Sequence, residues 1–208
     1  MTRELPKVDD ISCISVCASE EDYERAFDND YAPPWFCAPI EPQHSNPGEP
    51  VSLVMMIGGD MLGNRAPWGS QDGRAASFAC RVAGKAARCI VPASLISYRV
   101  NDDGEDLGIH IQAVDGSVLR LGAVYRRIEG VVSLVAVPSS PRIASFASWM
   151  PLILGDADWL PWLKHGTPSK TIRCLIKPCP DEGLQIGFSP LTANFAKTCQ
   201  RNHAAAFA

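Results

Sequence analysis

The side chains of this 208-residue chain that could do chemistry are thiols, imidazoles and clustered acids, and they lie scattered along it. Eight cysteines stand at positions 13, 17, 37, 80, 89, 174, 179 and 199. Cys13 and Cys17, joined by Cys174 and Cys179, are the pairs from which a four-thiolate zinc site could be built. Their spacings are looser than such sites favour, and Pro178 and Pro180 flank the last ligand, so no metal is expected. The four histidines, His44, His110, His165 and His203, fall far apart, each in or near a segment that reads as surface. Asp102, Asp103, Glu105 and Asp106 form an acidic run that fits the solvated tip of a hairpin. Trp35, Trp68, Trp149, Trp159 and Trp162 could offer faces on which bases stack, although core and loop packing is their ordinary use. No glycine-rich phosphate loop, no Gly-x-Ser-x-Gly elbow and no His-Glu-x-x-His pattern occurs, and no cofactor is expected.

Composition sets the outer bounds. The chain is 46% apolar and 20% charged, which is ordinary globular usage and neither a disordered nor a membrane one. A formal net charge of -4 weighs against a dedicated nucleic-acid binder, though a local basic patch is still compatible with it. No apolar run is long enough for a membrane span, so no membrane partner is expected. Met1-Thr2-Arg3-Glu4-Leu5-Pro6 lacks the apolar core of a signal peptide, which makes the cytoplasm the expected location and free, mostly buried thiols the expected state of the cysteines.

The elements that must position these residues are mainly strands. Residues 1–12 read as a loose polar arm, 13–200 as a single domain and 201–208 as a tail. Ser19 to Phe27 is a helix with Ser19 as N-cap, and Tyr23 and Phe27 share one of its faces. Tyr31 to Pro50 is a proline-rich loop. Val51 to Ile57 is a buried strand stopped by Gly58-Gly59, Asn64 to Arg74 a loop, and Ala75 to Ala87 a helix. Strands follow over Cys89–Pro92, Leu95–Val100 and Gly108–Val114. Asp115-Gly116 signals a hairpin into Val118–Tyr125, and Glu129-Gly130 turns into Val131–Val137, an apolar and central strand. Ile143 to Trp149 is a short helix or loop, and Met150 to Leu154 a short strand. Asp156 caps a helix over Ala157–Leu163, and Thr171–Ile176 and Leu184–Phe188 are further strands. The fold class is α+β, mainly β, with a few helices.

The order of several short segments carries a resemblance. Arg88-Cys89-Ile90-Val91-Pro92-Ala93 is similar to the Arg-Cys-Leu-Ile-Pro-Ala signature of the SOS-response-associated peptidase (SRAP) family. Trp149-Met150-Pro151-Leu152-Ile153-Leu154 resembles the tail of that family's His-Asp-Arg-Met-Pro-Val-Ile-Leu, and Trp159-Leu160 its later Trp-Leu pair. Tyr31-Ala32-Pro33-Pro34 resembles its Asn-Ile-Ala-Pro-Thr, and Ser189-Pro190-Leu191-Thr192 its late Pro-Val-Ser segment. The resemblance runs over about residues 13–200. It implies a strongly bent, barrel-like sheet with flanking helices, and single-stranded DNA as partner. It also implies a covalent link to abasic sites, made when an N-terminal cysteine closes a thiazolidine ring with its own α-amine.

Carried across residue by residue, that chemistry is missing. Cys13 falls near the nucleophile's place but inside the chain, where its nitrogen is an amide. The family's Asn-Ala-Arg-x-Glu-Thr matches Asp72-Gly73-Arg74-Ala75-Ala76-Ser77, so Asp72 replaces its asparagine. The glutamate position is Tyr98 and the histidine position Ala147. The family's Trp-Gly before its DNA-wedging loop matches Gly58-Gly59, and the loop's aromatic positions fall near Asn64 and Arg65. Arg65, Arg74, Arg81, Lys85 and Arg88 form the only basic-leaning stretch and are the expected phosphate contacts. Three readings follow. The first is a catalytically degenerate SRAP-like protein that keeps binding to single-stranded or abasic DNA in the DNA-damage response. The second is a protein-interaction module of mobile-element origin. The third is an enzyme that exposes Cys13 by processing and uses Asp72 as acid or base.

Overall fold

The computed structural model describes residues 11–16, 20–27, 43–57, 60–80, 86–102 and 105–190. Among them the strands are β1 (Ile11–Val16), β2 (Gln43–Ser45), β3 (Pro50–Ile57), β4 (Asp60–Asp72), β5 (Ala86–Ala93), β6 (Leu95–Asp102), β7 (Glu105–Ala113), β8 (Leu119–Arg126), β9 (Val131–Pro138), β10 (Trp149–Pro151), β11 (Ile153–Leu154) and β12 (Leu184–Pro190). The α-helices are α1 (Glu20–Phe27), α2 (Gly73–Cys80), α3 (Trp159–Leu163) and α4 (Ser169–Leu175). The class is α+β, mainly β, in two sheets.

The first sheet has the order β12-β7-β6-β1-β2, every pair antiparallel. Its two faces follow from period-2 alternation. On one, Ile14, Ile96 and Ile111 stand in register and are fully buried. On the other, the same strands present Cys13, Ser97 and His110 in register. The second sheet has the order β10-β9-β4-β3-β5-β8-β11. In it β9 also pairs with β8, so β9, β4, β3, β5 and β8 close a ring. The bend expected of the sheet is therefore present, but the open first sheet means that the molecule is not one barrel.

Several elements differ from expectation, each for a physical reason. The segment Asn64–Arg74 is not a loop. As far as Asp72 it belongs to β4, which runs antiparallel to β3 as far as Pro67 and then parallel to β9 from Trp68, and Gly73 and Arg74 open α2. Pro67 sits where the strand changes partner, the place where a residue without an N–H does least harm. A short strand, β2, interrupts the proline-rich segment and receives the indole N–H of the buried Trp68 on Ser45 Oγ at 2.9 Å. Asp115-Gly116 does form a turn, with Gly116 at φ +73° and Asp115 Oδ1 accepting the Ser117 N–H at 3.0 Å. It joins no hairpin, because β7 lies in one sheet and β8 in the other. Residues 171–175 are helical in α4 rather than extended, with Ile176 as the C-cap, and the buried Ile172 and Leu175 mark a three-residue period. Asp156 does not cap α3: its carboxylate pairs with Arg120 at 2.8 Å. Ile11, expected in the loose arm, is a core residue of β1, and residues 1–10 of that expectation lie outside the described residues.

The expected helix over Ala75–Ala87 is shorter, since α2 ends at Cys80 and Ala86 already belongs to β5; the expected strand Met150–Leu154 is divided into β10 and β11, which pair with β9 and β8; and the Ser19 cap lies outside the described residues. Tyr23 and Phe27 of α1 are both buried, and the Phe27 ring meets Trp159 edge-on with centroids 5.6 Å apart. The strand β9 is central, with partners on both sides and most of its side chains buried.

Candidate functional site

Across the polar face of the first sheet runs a row of five side chains from four adjacent strands. In spatial order they are His44 on β2, Ser15 and Cys13 on β1, Ser97 on β6 and His110 on β7. The register sets Ser15 opposite His44, Cys13 opposite Ser97, and Ser97 opposite His110. Ser15 Oγ lies 2.8 Å from His44 Nδ1 and 3.8 Å from Cys13 Sγ. At the other end Ser97 Oγ is 3.1 Å from His110 Nδ1, while the Ser97 carbonyl accepts the Ser12 hydroxyl at 2.9 Å. Burial lowers the pKa of both imidazoles, that of His110 to about 4. Both rings are therefore neutral near pH 7, each with one nitrogen able to accept a proton. Ser15 thus stands between a thiol and a base and could pass a proton from one to the other. Access limits this, because Ser15 is fully buried and Cys13 is 8% exposed. The row consists of two hydrogen-bonded groups, His44–Ser15–Cys13 and Ser97–His110, buried in the middle and half-buried at the two imidazoles.

Sequence reasoning found Cys13 and missed the rest of the row. The alternation in Ile11-Ser12-Cys13-Ile14-Ser15-Val16 places Cys13 and Ser15 on one face, which was a readable signal. The cross-strand neighbours His44, Ser97 and His110 depend on register, which spacing in sequence does not reveal. The expectation of surface histidines is corrected at His44 and His110, which are half-buried and bonded to serines.

Of the four positions matched to the family's chemistry, Cys13 and Tyr98 lie on opposite faces of the first sheet and Asp72 lies in a strand of the second. Tyr98 neighbours Ser97 and so faces the opposite side of the sheet from Cys13. It is fully buried and meets Phe146 edge-on with centroids 6.0 Å apart. Ala147 follows Phe146 and is equally buried. Asp72 ends β4 in the second sheet, where its backbone pairs with Val135.

The cations also separate. Arg65 is exposed on β4. Arg74 lies in α2; Arg81 and Lys85 lie outside the described residues. Arg88 corrects the expectation that it contacts phosphate. It is 8% exposed, and its guanidinium donates to the carbonyls of Trp162, of Ala79 at 3.1 Å and of Lys164 at 2.8 Å. Its donors tie the C-terminal ends of α2 and α3 together and are not presented to solvent.

A cavity of about 380 Å³ opens where the edge of the first sheet meets the β3–β4 pair. Arg65, His44, Ser45 and Ser52 line it over an apolar floor of Ile14 and Val51. A single cation beside hydroxyls and a neutral imidazole suits an oxyanion or phosphate oxygen better than a metal ion. Among the described residues no group of three or more His, Cys, Asp and Glu side chains could hold a metal. Nor is any helix among them long and apolar enough to cross a membrane.

No protein-family model matches this chain, and no curated protein matches it in sequence. Its fold is nevertheless shared with solved structures. A crystal structure of a protein from Bordetella bronchiseptica superposes with a TM-score of 0.62 at 16% identity, over 86% of this chain and 100% of that one. A second, from Bacteroides thetaiotaomicron, gives 0.54 at 14% identity over 74% and 79%. Both are structural-genomics targets whose names carry no activity, so the likeness establishes a common architecture for this chain and these two proteins.

Proposed function

We propose that this chain is an SRAP-like domain that has lost the family's thiazolidine chemistry and retains single-stranded DNA binding. The observation that carries the proposal is the place of Cys13. It sits inside β1, two residues beyond a core isoleucine, so its nitrogen is a peptide amide without the lone-pair basicity an amine brings to an aldehyde. Processing ahead of Cys13 would free that nitrogen, but it would also remove Ile11, which is 1% exposed. The third reading, an enzyme activated by processing, therefore carries a cost of about 2–3 kcal/mol in lost burial alone. Binding does not need the amine. Phosphate contacts require only placed cations and hydrogen-bond donors, and the exposed Arg65 at its cavity offers one such cation.

The test is fluorescence anisotropy with a labelled single-stranded oligonucleotide, joined to a denaturing gel with an abasic one. Binding is expected at low salt and should weaken steeply as salt rises. Arg65→Gln should weaken it further and reduce the salt slope by about 0.7. No covalent band should form on the gel. Absence of binding at low salt would remove the DNA half of the proposal, and a heat-stable adduct would remove the other half.

A further inference from the structure

A second basic stretch runs over residues 159–180 and corrects the expectation that the one from Arg65 to Arg88 stands alone. It holds Lys164, Lys170, Arg173 and Lys177 and no acid, whereas the rest of the chain holds 15 cations and all 23 acids. The four cations sit on α3, α4 and their flanks. All are exposed, and none forms an ion pair with a described residue.

Helix electrostatics account for only part of this. Arg173 in the last turn of α4, and Lys177 just beyond it, suit the negative end of the helix dipole. Lys170 stands in the first turn, where a cation opposes the dipole and where no acid is present. Lys170 and Arg173 are three residues apart, so they neighbour each other on the side of α4 opposite the buried Ile172 and Leu175. Beside them a cavity of about 380 Å³ opens between α2 and α4, lined by Ala76, Ser77, Cys80, Arg173 and Ile176. Arg173 thus belongs both to the charged strip and to the cavity wall. Ser169 Oγ donates to the carbonyl of Cys80 at 2.8 Å, which ties the start of α4 to the end of α2 and keeps the cavity formed.

We propose that this face docks an acidic peptide segment. One leucine-sized side chain of that segment enters the cavity, and flanking carboxylates meet Lys170, Arg173 and Lys177. The uncompensated cations select an anion, and the cavity selects a peptide among anions. No lining residue is aromatic, so a nucleobase would find no face to stack on. Phosphates alone would use the cations and leave the cavity idle. An aliphatic side chain gains burial against Ala76 and Ile176. The face is separate from the cavity at Arg65, which is built from β1, β2, β3 and β4, and does not depend on the DNA reading.

The experiment is fluorescence anisotropy at low salt on the full chain, with a short labelled peptide of alternating Glu and Ser around one central Leu. A second peptide has Ser in place of that Leu, and a third has Lys in place of every Glu. The leucine peptide should bind at least about tenfold tighter than the serine peptide, and the lysine peptide should not bind. Added salt should weaken binding. Arg173→Glu should weaken the leucine peptide about tenfold. Ser77→Trp fills the cavity from its exposed rim and should bring the leucine and serine peptides to equal affinity. Both positions are exposed, so an unchanged circular dichroism spectrum checks the fold. A labelled oligothymidylate tests the nucleic-acid alternative, and Arg173→Glu should leave its behaviour unchanged. The proposal is overturned if no acidic peptide binds, if the leucine and serine peptides bind alike, or if Arg173→Glu leaves peptide affinity intact. Loss of oligothymidylate binding in Arg173→Glu would overturn it as well, in favour of a nucleic-acid surface.

Discussion

A guanidinium that donates to three backbone carbonyls has no fork left for a phosphate, and Arg88 is in that position. Its role is to satisfy the ends of α2 and α3, groups that would otherwise be buried without donors. Replacing it with methionine keeps much of the volume but leaves those carbonyls unpaired. Arg88→Met is expected to cost about 3 kcal/mol, read as a fall in the urea midpoint, while leaving DNA affinity per folded molecule unchanged. The sequence alone could not separate Arg88 from Arg65. Both fall in one basic-leaning stretch, and only the burial of β5 against α3 distinguishes a tie from a surface charge. Cys13 was legible as a candidate because its type is distinctive. Its partners were not, because serine and histidine are common and become a row only once four strands are in register.

Elements were read well where one period governs a segment and poorly where the chain changes its allegiance. Glu20–Phe27, Pro50–Ile57 and Val131–Pro138 each keep a single pattern and were found. The strand β4 carries glycine and proline, yet it remains extended because β3 and β9 hold it in turn. The helix α4 carries threonine and isoleucine, which favour strands, yet Ile172 and Leu175 bury one face and decide the matter. At Gly122 on β8 two elements come close. A Cβ there would lie 2.7 Å from Leu152 Cδ2 and 3.0 Å from its Cγ. The carbonyl of Leu152 also accepts the Gly122 N–H at 2.8 Å, so the segment cannot simply withdraw. Gly122→Ala is expected to destabilise the protein by about 1–3 kcal/mol. A companion Leu152→Ala should recover part of that loss in a double-mutant cycle, measured by chemical denaturation.

For the molecule as a whole, the half-buried histidines set a pH dependence. The folded-state pKa of His110 is about 4, below the ordinary 6.5. As pH falls, the unfolded chain takes up this proton first, so the native state loses stability between about 6.5 and 4 and holds the full contribution above that window. His44 is lowered in the same direction by burial. His110→Gln should flatten the acid limb of stability against pH, and equal slopes for the two proteins in urea melts at pH 7 and 4.5 would contradict this. The ring in the second sheet has a different kind of consequence. Asp72 in β4 must wait for Val135 in β9 before the seam between them can form. On a ribosome the first part of this sheet emerges with one edge still open, and the closing strand is made last. Such long-range parallel pairing is entropically late and slows folding. The nascent chain is therefore open to wrong strand partners until β9 has been synthesised, and the seam that fixes the native ring is also the step that limits how fast it can be reached.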